Sequence, residues 1–301
     1  MKLQTKNLLT LAELSSKEFV QLIDLSIKLK KELKVGNKPL LKNKTLSMIF
    51  QKPSTRTRVS FETGMFQLGG IALNLSTNDL QLSRGETIDD TAKTLSRYVN
   101  IIMARVYEHK MIEELAQHSS VPVINGLSDS FHPCQTLADL MTIKEKKKNF
   151  KGLKVAWIGD GNNVCNSLIY GCAKVGISVS VATPKGFEPD AQVVRKSQKN
   201  VELFSEPDAA IKDADVVMTD TFTSIHNHDK EREAKFLPKF QITKSLMEKA
   251  KKNSIFMHCL PAKREHEVTS EVIDGPQSVV WDQAENRLHS QKALLVSLLG
   301  I

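Results

Sequence analysis

Lys52, Ser54, Thr55, Arg56, Thr57 and Arg58 crowd into the stretch "KPSTRTR", between the apolar run "TLSMIF" (45–50) and a helical pattern over 55–68. A solvated turn needs no such density of donors. A helix start with free N–H groups, hydroxyls and a guanidinium converging on one small volume suits a phosphate, which offers several acceptor oxygens and nearly two negative charges. The helix is expected to be capped by Ser54 or Thr55 and to break at Gly69-Gly70. The GxxxxGK[ST] pattern of nucleotide P-loops is absent, so the anion is small. Read more plainly, the stretch is a capped helix with surface arginines, and Arg58 fits a structural ion pair with a nearby carboxylate.

Further groups fall at other strand ends. Arg105 closes "NIIMAR" (100–105), where it is either a ligand contact or a surface ion pair. "FHPCQTLADL" (131–140) opens a helix with His132 and Gln135 three apart, so both can face one pocket. Thr57, Arg105 and His132 are donors of the kind that stabilise an oxyanion when a carbonyl carbon is attacked. Alone, His132 is equally a cap or a structural histidine. "WIGDGNNVCNSL" (157–168) is a strand, turn and helix whose Gly159 and Gly161 suggest a dinucleotide loop, but Val164 stands where a third glycine belongs. Asn162 and Asn163 can instead grip a carboxylate or an amine. Asp220, ending "DVVMTD" (215–220), is placed to hold an ammonium or to cap the next turn. Cys259 ends "SIFMHC" (254–259) beside Leu260-Pro261. "HNHD" (226–229) lacks further ligand spacing, so no metal is expected.

The elements that must position these groups alternate. Strands are expected at 45–50, 71–75, 100–105, 121–125, 153–159, 178–183, 201–204, 215–220, 254–259 and 278–282 ("SVVWD"). Helices are expected near 55–68, 87–98, 108–118, 134–148 and at the C-terminal "ENRLHSQKALLVSLL". Near the N-terminus, "SSKEF" supplies a capping serine and an acidic first turn. This alternation implies an α/β protein of two doubly wound parallel-sheet domains with helices on both faces. The 301 residues suffice for two such domains, with the polar "KEKKKNFKG" (144–152) as the hinge. In such sheets ligands bind where strands end and helices begin.

Composition narrows the class. Hydrophobic content is 41% and charged content 25%, ordinary for a globular protein. No apolar run approaches the roughly 18 residues that span a bilayer, and no secretory signal is expected at the N-terminus. The four cysteines form no CxxC pattern, which fits a reducing, cytoplasmic compartment. The net charge of +8 comes largely from lysine-rich helix faces without a nucleic-acid reading element, so neither nucleic acid nor membrane is an expected partner. Surplus positive charge favours an anionic substrate.

Taken in order, "STRTR", "HPCQ", "DGNN", "DTFTS" and "HCLP" resemble the aspartate/ornithine carbamoyltransferase family, and its ornithine branch in particular. The resemblance runs from "LTLAELS" to "AENRLHSQKALLVSLL". It implies transfer of the carbamoyl group of carbamoyl phosphate to the side-chain amine of L-ornithine, giving L-citrulline and phosphate, within arginine metabolism. It also implies an active site in the interdomain cleft, a homotrimer, and no metal or organic cofactor. Residues 1–147 would bind carbamoyl phosphate, with the helix 285–301 packed back onto them, and 148–284 would bind ornithine. Ser54, Thr55, Arg56 and Thr57 would take the phosphate, and Arg105, His132, Gln135 and Arg287 the carbamoyl end. Gln81 would reach a neighbouring subunit's site. Asn163, Asp220, Ser224 and Ile225 would bind ornithine, with Cys259 and Leu260 where the substrates meet. Arg105, His132, Asp220 and Cys259 would be catalytic.

One departure concerns the amine. The family's Asp-x-x-x-Ser-Met-Gly is Asp220 and Ser224 followed by Ile225-His226 here. An N-acylornithine or putrescine is therefore the alternative acceptor. A dinucleotide-binding protein, resting on "GDGNN", is the more distant reading.

Overall fold

The sequence "TLSMIF" is apolar at four of six positions, with only small hydroxyl residues at the others, which suits a strand buried on both faces of a parallel sheet. It forms β1 (Thr45–Phe50), buried throughout except at Thr45. In the computed structural model, which describes residues 2–36, 38–76, 79–222 and 230–301, the chain divides into two units. One comprises Met1–Met141 with Glu285–Ile301 and the other Thr142–Ala284.

In the first unit β1, β2 (Ile71–Ser76), β3 (Ile101–Arg105) and β4 (Val123–Leu127) form a parallel sheet of order β2-β1-β3-β4. The crossovers are α2 (Thr55–Gln67), α3 (Ile88–Tyr98) and α4 (His109–His118). An N-terminal helix α1 (Ser16–Glu32) begins with a full capping box, Ser15 and Glu18 exchanging hydrogen bonds. Ile49, Ile102, Ala104, Ile112, Leu115 and Val123 lie in its core. From β1 the chain steps outward to β2 and returns on the other side as β3. The β1/β3 border is thus the switch point, where adjacent crossovers leave a crevice at the strands' carboxyl ends. Phe50 and Arg105 are register partners there.

The second unit repeats the plan. β5 (Lys154–Ile158), β6 (Ser178–Ala182), β7 (Val201–Phe204), β8 (Val216–Thr219) and β9 (Ile255–His258) form a parallel sheet of order β7-β6-β5-β8-β9, with its switch point between β5 and β8. The helix α6 (Asn163–Val175) follows β5, α7 (Ala191–Lys196) follows β6, α8 (Pro207–Ile211) follows β7, α9 (Lys230–Phe236) and α10 (Lys244–Met247) follow β8, and α11 (Ser270–Ile273) follows β9.

The run "SVVWD" at 278–282 is not a strand. Only a bridge from Ser278 to Phe256 touches the sheet, and helix α12 (Val280–Leu298) begins two residues later. An apolar run this short fits either state, and here the following helix-forming residues decide. Val280 is buried while Trp281 is 65% exposed. No helix of the described residues is long and apolar enough to cross a membrane.

Candidate functional site

The expected residues gather at the two switch points. At the first, Ser54 is the N-cap of α2, its Oγ accepting the Thr57 N–H at 3.3 Å. Helix geometry gives the amides of Thr55 and Arg56 no intrahelical acceptor, so they point out of the helix start. The Thr57 hydroxyl has its polarity set. Its oxygen accepts from Ser54 Oγ at 3.1 Å and from Arg287 Nη2 at 3.2 Å, leaving its proton to be given outward. Arg58 instead pairs with Glu62 at 3.0 Å on the exposed face, the structural role its position suggested. Lys52 stands 4.5 Å from the Tyr107 ring, its proton affinity lowered first by burial and then by Arg105.

The helix α5 (Pro133–Lys147) starts just after His132. His132 is buried, and its proton affinity is pushed well below the ordinary histidine range by that burial, then by the guanidinium groups of Arg287, Arg105 and Arg56. All three arginines thus lie near enough to act on the charge of that imidazole. At neutral pH that imidazole is uncharged, with one N–H to donate. Arg287, on α12, donates from Nη1 to Gln135 Oε1 at 2.6 Å, and Gln135 Nε2 donates to the buried Asp139 at 2.8 Å. An arginine can only donate, so Gln135 must turn its oxygen toward Arg287. Gln291, one turn beyond Arg287, finishes the frame. With its amide turned to satisfy its neighbours, its oxygen accepts from Arg287 Nε at 3.3 Å and its nitrogen donates to Ser60 Oγ at 2.6 Å. This half-site offers cations, N–H groups and a hydroxyl proton to an oxyanion, with an amide oxygen for an N–H. Gln81 is not part of this cluster: it lies exposed in a 3-10 turn, Gln81–Arg84.

At the second switch point Asp220 is buried and well held. Its Oδ1 accepts from the Thr221 N–H at 2.8 Å and the Cys259 thiol at 3.0 Å, and its Oδ2 from Asn162 Nδ2 at 2.8 Å. A carboxylate has about four acceptor sites, and these three bonds leave it capacity for one more donor. The N-cap of α6 is Asn162, whose Oδ1 accepts the N–H groups of Val164 and Cys165. Asn163 is the first helical residue, half-buried beside it. Cys259 is half-buried, whereas Cys134 is pushed up to about 12 by burial and Cys165 is also raised by burial, which leaves both unreactive. Leu260 takes a left-handed backbone (φ 58°) and gives its N–H to His258 Nδ1 at 2.8 Å. Asp220, His258 and Cys259 bring potential ligand atoms within 4.8 Å of one another. Each already has a protein partner, His258 Nδ1 accepting the Leu260 N–H and Asp220 the Cys259 thiol. Ser224, Ile225 and the 226–229 stretch lie outside the described residues.

The glycine turn after β5 is filled by the chain itself. The Gly161 N–H donates to Phe187 O at 2.8 Å, and a Cβ at Gly161 would come within 2.2 Å of Pro189 N. The amide that a dinucleotide pyrophosphate would need is thus taken, and the space beside it is closed. Two residues that sequence reasoning did not single out complete this half. Asp160, on the turn, forms an ion pair with Arg232 of α9. Asp160 is raised to about 6, mainly by burial and with a further push from Asp220, against the pull of Arg232. Only the "GDGNN" motif pointed toward Asp160, and no local pattern marked Arg232.

Comparison with known proteins agrees with this division. Residues 6–145 match the carbamoyl-P binding domain of aspartate/ornithine carbamoyltransferase and residues 151–298 match its Asp/Orn binding domain. In space, residues 285–301 belong to the first unit. A relative named ornithine carbamoyltransferase from Cenarchaeum symbiosum is 63% identical over 300 residues, 99% of each chain. One from Pyrococcus horikoshii is 54% identical over 310 residues, 100% of this chain and 98% of that one. The solved ornithine carbamoyltransferase of Pyrococcus furiosus superposes with a TM-score of 0.94 at 54% identity, covering 98% of this chain and 97% of that one. The chain therefore belongs to the aspartate/ornithine carbamoyltransferase family.

Proposed function

We infer that the protein is an ornithine carbamoyltransferase, forming L-citrulline and phosphate from carbamoyl phosphate and L-ornithine. The observation that carries the reading is Arg287 donating to both Gln135 and Thr57 beside the buried His132, with Ser54 also donating to the Thr57 hydroxyl at the start of α2. Phosphate sits at the α2 start on the Ser54–Thr57 cradle. Thr57, Arg105 and His132 hold the carbamoyl oxygen, and Gln135 accepts from the carbamoyl nitrogen. Residues 1–147 with 285–301 form the carbamoyl-phosphate part and 148–284 the ornithine part.

The side-chain amine of ornithine must lose a proton before it attacks. Asp220 and Cys259 orient the neutral amine, and once it has attacked its nitrogen gives up a second proton, to the departing phosphate or to Cys259 as thiolate. Attack on the carbamoyl carbon forms the new C–N bond and puts negative charge on the carbonyl oxygen, where donors fixed in advance stabilise it most. The C–O bond to phosphate then breaks and the phosphate leaves into the helix start. Holding two substrates in register supplies much of the remaining acceleration. The reaction needs no metal or organic cofactor.

The oligomer we propose is a homotrimer, with Gln81 reaching a neighbouring site. Its support is an apolar edge: Ile71 and Leu73 alternate along β2, an edge strand, while Val59 and Phe66 share one face of α2 and Phe66 is 81% exposed. A cytoplasmic place in arginine biosynthesis accords with the cysteine usage. Citrulline formation from the two substrates, measured against putrescine and N-acylornithines, tests the function. A preference for another amine would overturn it.

A further inference from the structure

The guanidinium of Arg232, on α9, ties together three separate pieces of the second unit. Its Nε donates to the Phe222 carbonyl at 2.9 Å, and its Nη2 pairs with the Asp160 carboxylate. The plane lies over the Phe187 ring at 4.7 Å and near the Phe236 ring at 5.7 Å. Asp160 sits on the β5–α6 turn two residues before Asn162, the residue that holds Asp220 Oδ2. Phe222 lies two residues after Asp220, and its ring bears on the same turn, since a Cβ at Gly159 would come within 2.8 Å of it. Arg232 is thereby bonded to both segments that aim Asp220. Around Asp160 stand Arg232 from α9, Asp220 after β8 and the Cys165 thiol of α6.

We propose that Arg232 is a positioning residue for the amine half-site: clamped on the Asp160 carboxylate, the Phe222 carbonyl and the Phe187 ring, it fixes the β5–α6 turn and the residues after β8 in the relation that sets Asp220 to receive the substrate amine. This rests on the assignment of ornithine's amine to Asp220. Two carboxylates near one another repel, and the Arg232 cation compensates the one it pairs with, Asp160. Lysine would keep that charge but cannot form the fork and the flat ring contact together.

The test compares Arg232→Met, Arg232→Lys and the double variant Asp160→Asn/Arg232→Met in the full-length enzyme, reading kcat, both KM values and Tm. Arg232→Met is expected to raise the ornithine KM about tenfold while the carbamoyl phosphate KM stays within about twofold. Arg232→Lys should fall between, and the double variant should recover part of the loss because no uncompensated carboxylate remains. Equal rises in both KM values, or no change in a folded Arg232→Met, overturn the proposal. If Arg232→Met does not fold, Arg232→Lys answers by the same ratio. Asp220→Asn is measured in parallel. An unchanged ornithine KM there overturns the amine assignment itself, whereas a rise there without one in Arg232→Met overturns only the role of Arg232.

Discussion

Replacing Asp160 by Asn should stabilise the protein at alkaline pH while weakening its grip on ornithine. The carboxyl is 15% exposed and raised from 3.8 to about 6, burial outweighing Arg232. The folded value lies above the unfolded one, so the protonated acid is the form the fold favours. The stability this group contributes is fully present below about pH 4 and is lost as pH rises through about 6. A rise of about two units corresponds to about 3 kcal/mol withdrawn above pH 7. Asn keeps the shape and cannot ionise. Urea denaturation of wild type and Asp160→Asn at pH 4.5 and pH 8 reads the effect. The variant should be more stable at pH 8 by about 1–3 kcal/mol, or several degrees in Tm, with the gap closing toward acid pH. A variant less stable at pH 8, or a gap independent of pH, would refute the argument. If the gap appears as expected, the wild-type carboxylate is a destabilising group retained because it anchors Arg232, a cost of the kind functional sites carry.

Two further outcomes follow from the first half-site. Arg56→Ala should cut kcat/KM by about 10²–10³-fold with little change in Tm, because Arg56 is half-buried at the helix start and not in the core; near-normal turnover would remove the phosphate cradle from the account. His132 should stay uncharged down to well below pH 6.5. A histidine held below its unfolded value takes stability away as pH falls through the ordinary range, so the kcat profile should show no His132 limb between pH 6 and 8. An NMR titration of the labelled ring that moves in that range would contradict it.

Much of the fold and the first half-site is legible because both are local. Strand runs such as "TLSMIF" are buried on both faces and read as apolar blocks, and "KPSTRTR" announces its chemistry within one turn of helix. The exception, 278–282, fails for a physical reason: three apolar residues satisfy a strand or a helix, and the residues after them settle it. What the sequence hides is long-range. Arg287 meets Gln135 across 152 residues and Arg232 meets Asp160 across 72, and no period encodes such pairs. Asn162 was visible in "DGNN", but which asparagine caps α6 and which faces the ligand depends on backbone geometry at the turn.

The most direct test of the central claim is the initial rate of citrulline formation by the purified protein at saturating carbamoyl phosphate, with L-ornithine, putrescine and N-acetylornithine as competing acceptors. The account predicts ornithine-dependent citrulline, with kcat/KM for ornithine exceeding that for either analogue by about 10²-fold or more. Equal or higher turnover with putrescine or N-acetylornithine, or no carbamoyl transfer to ornithine, would contradict it.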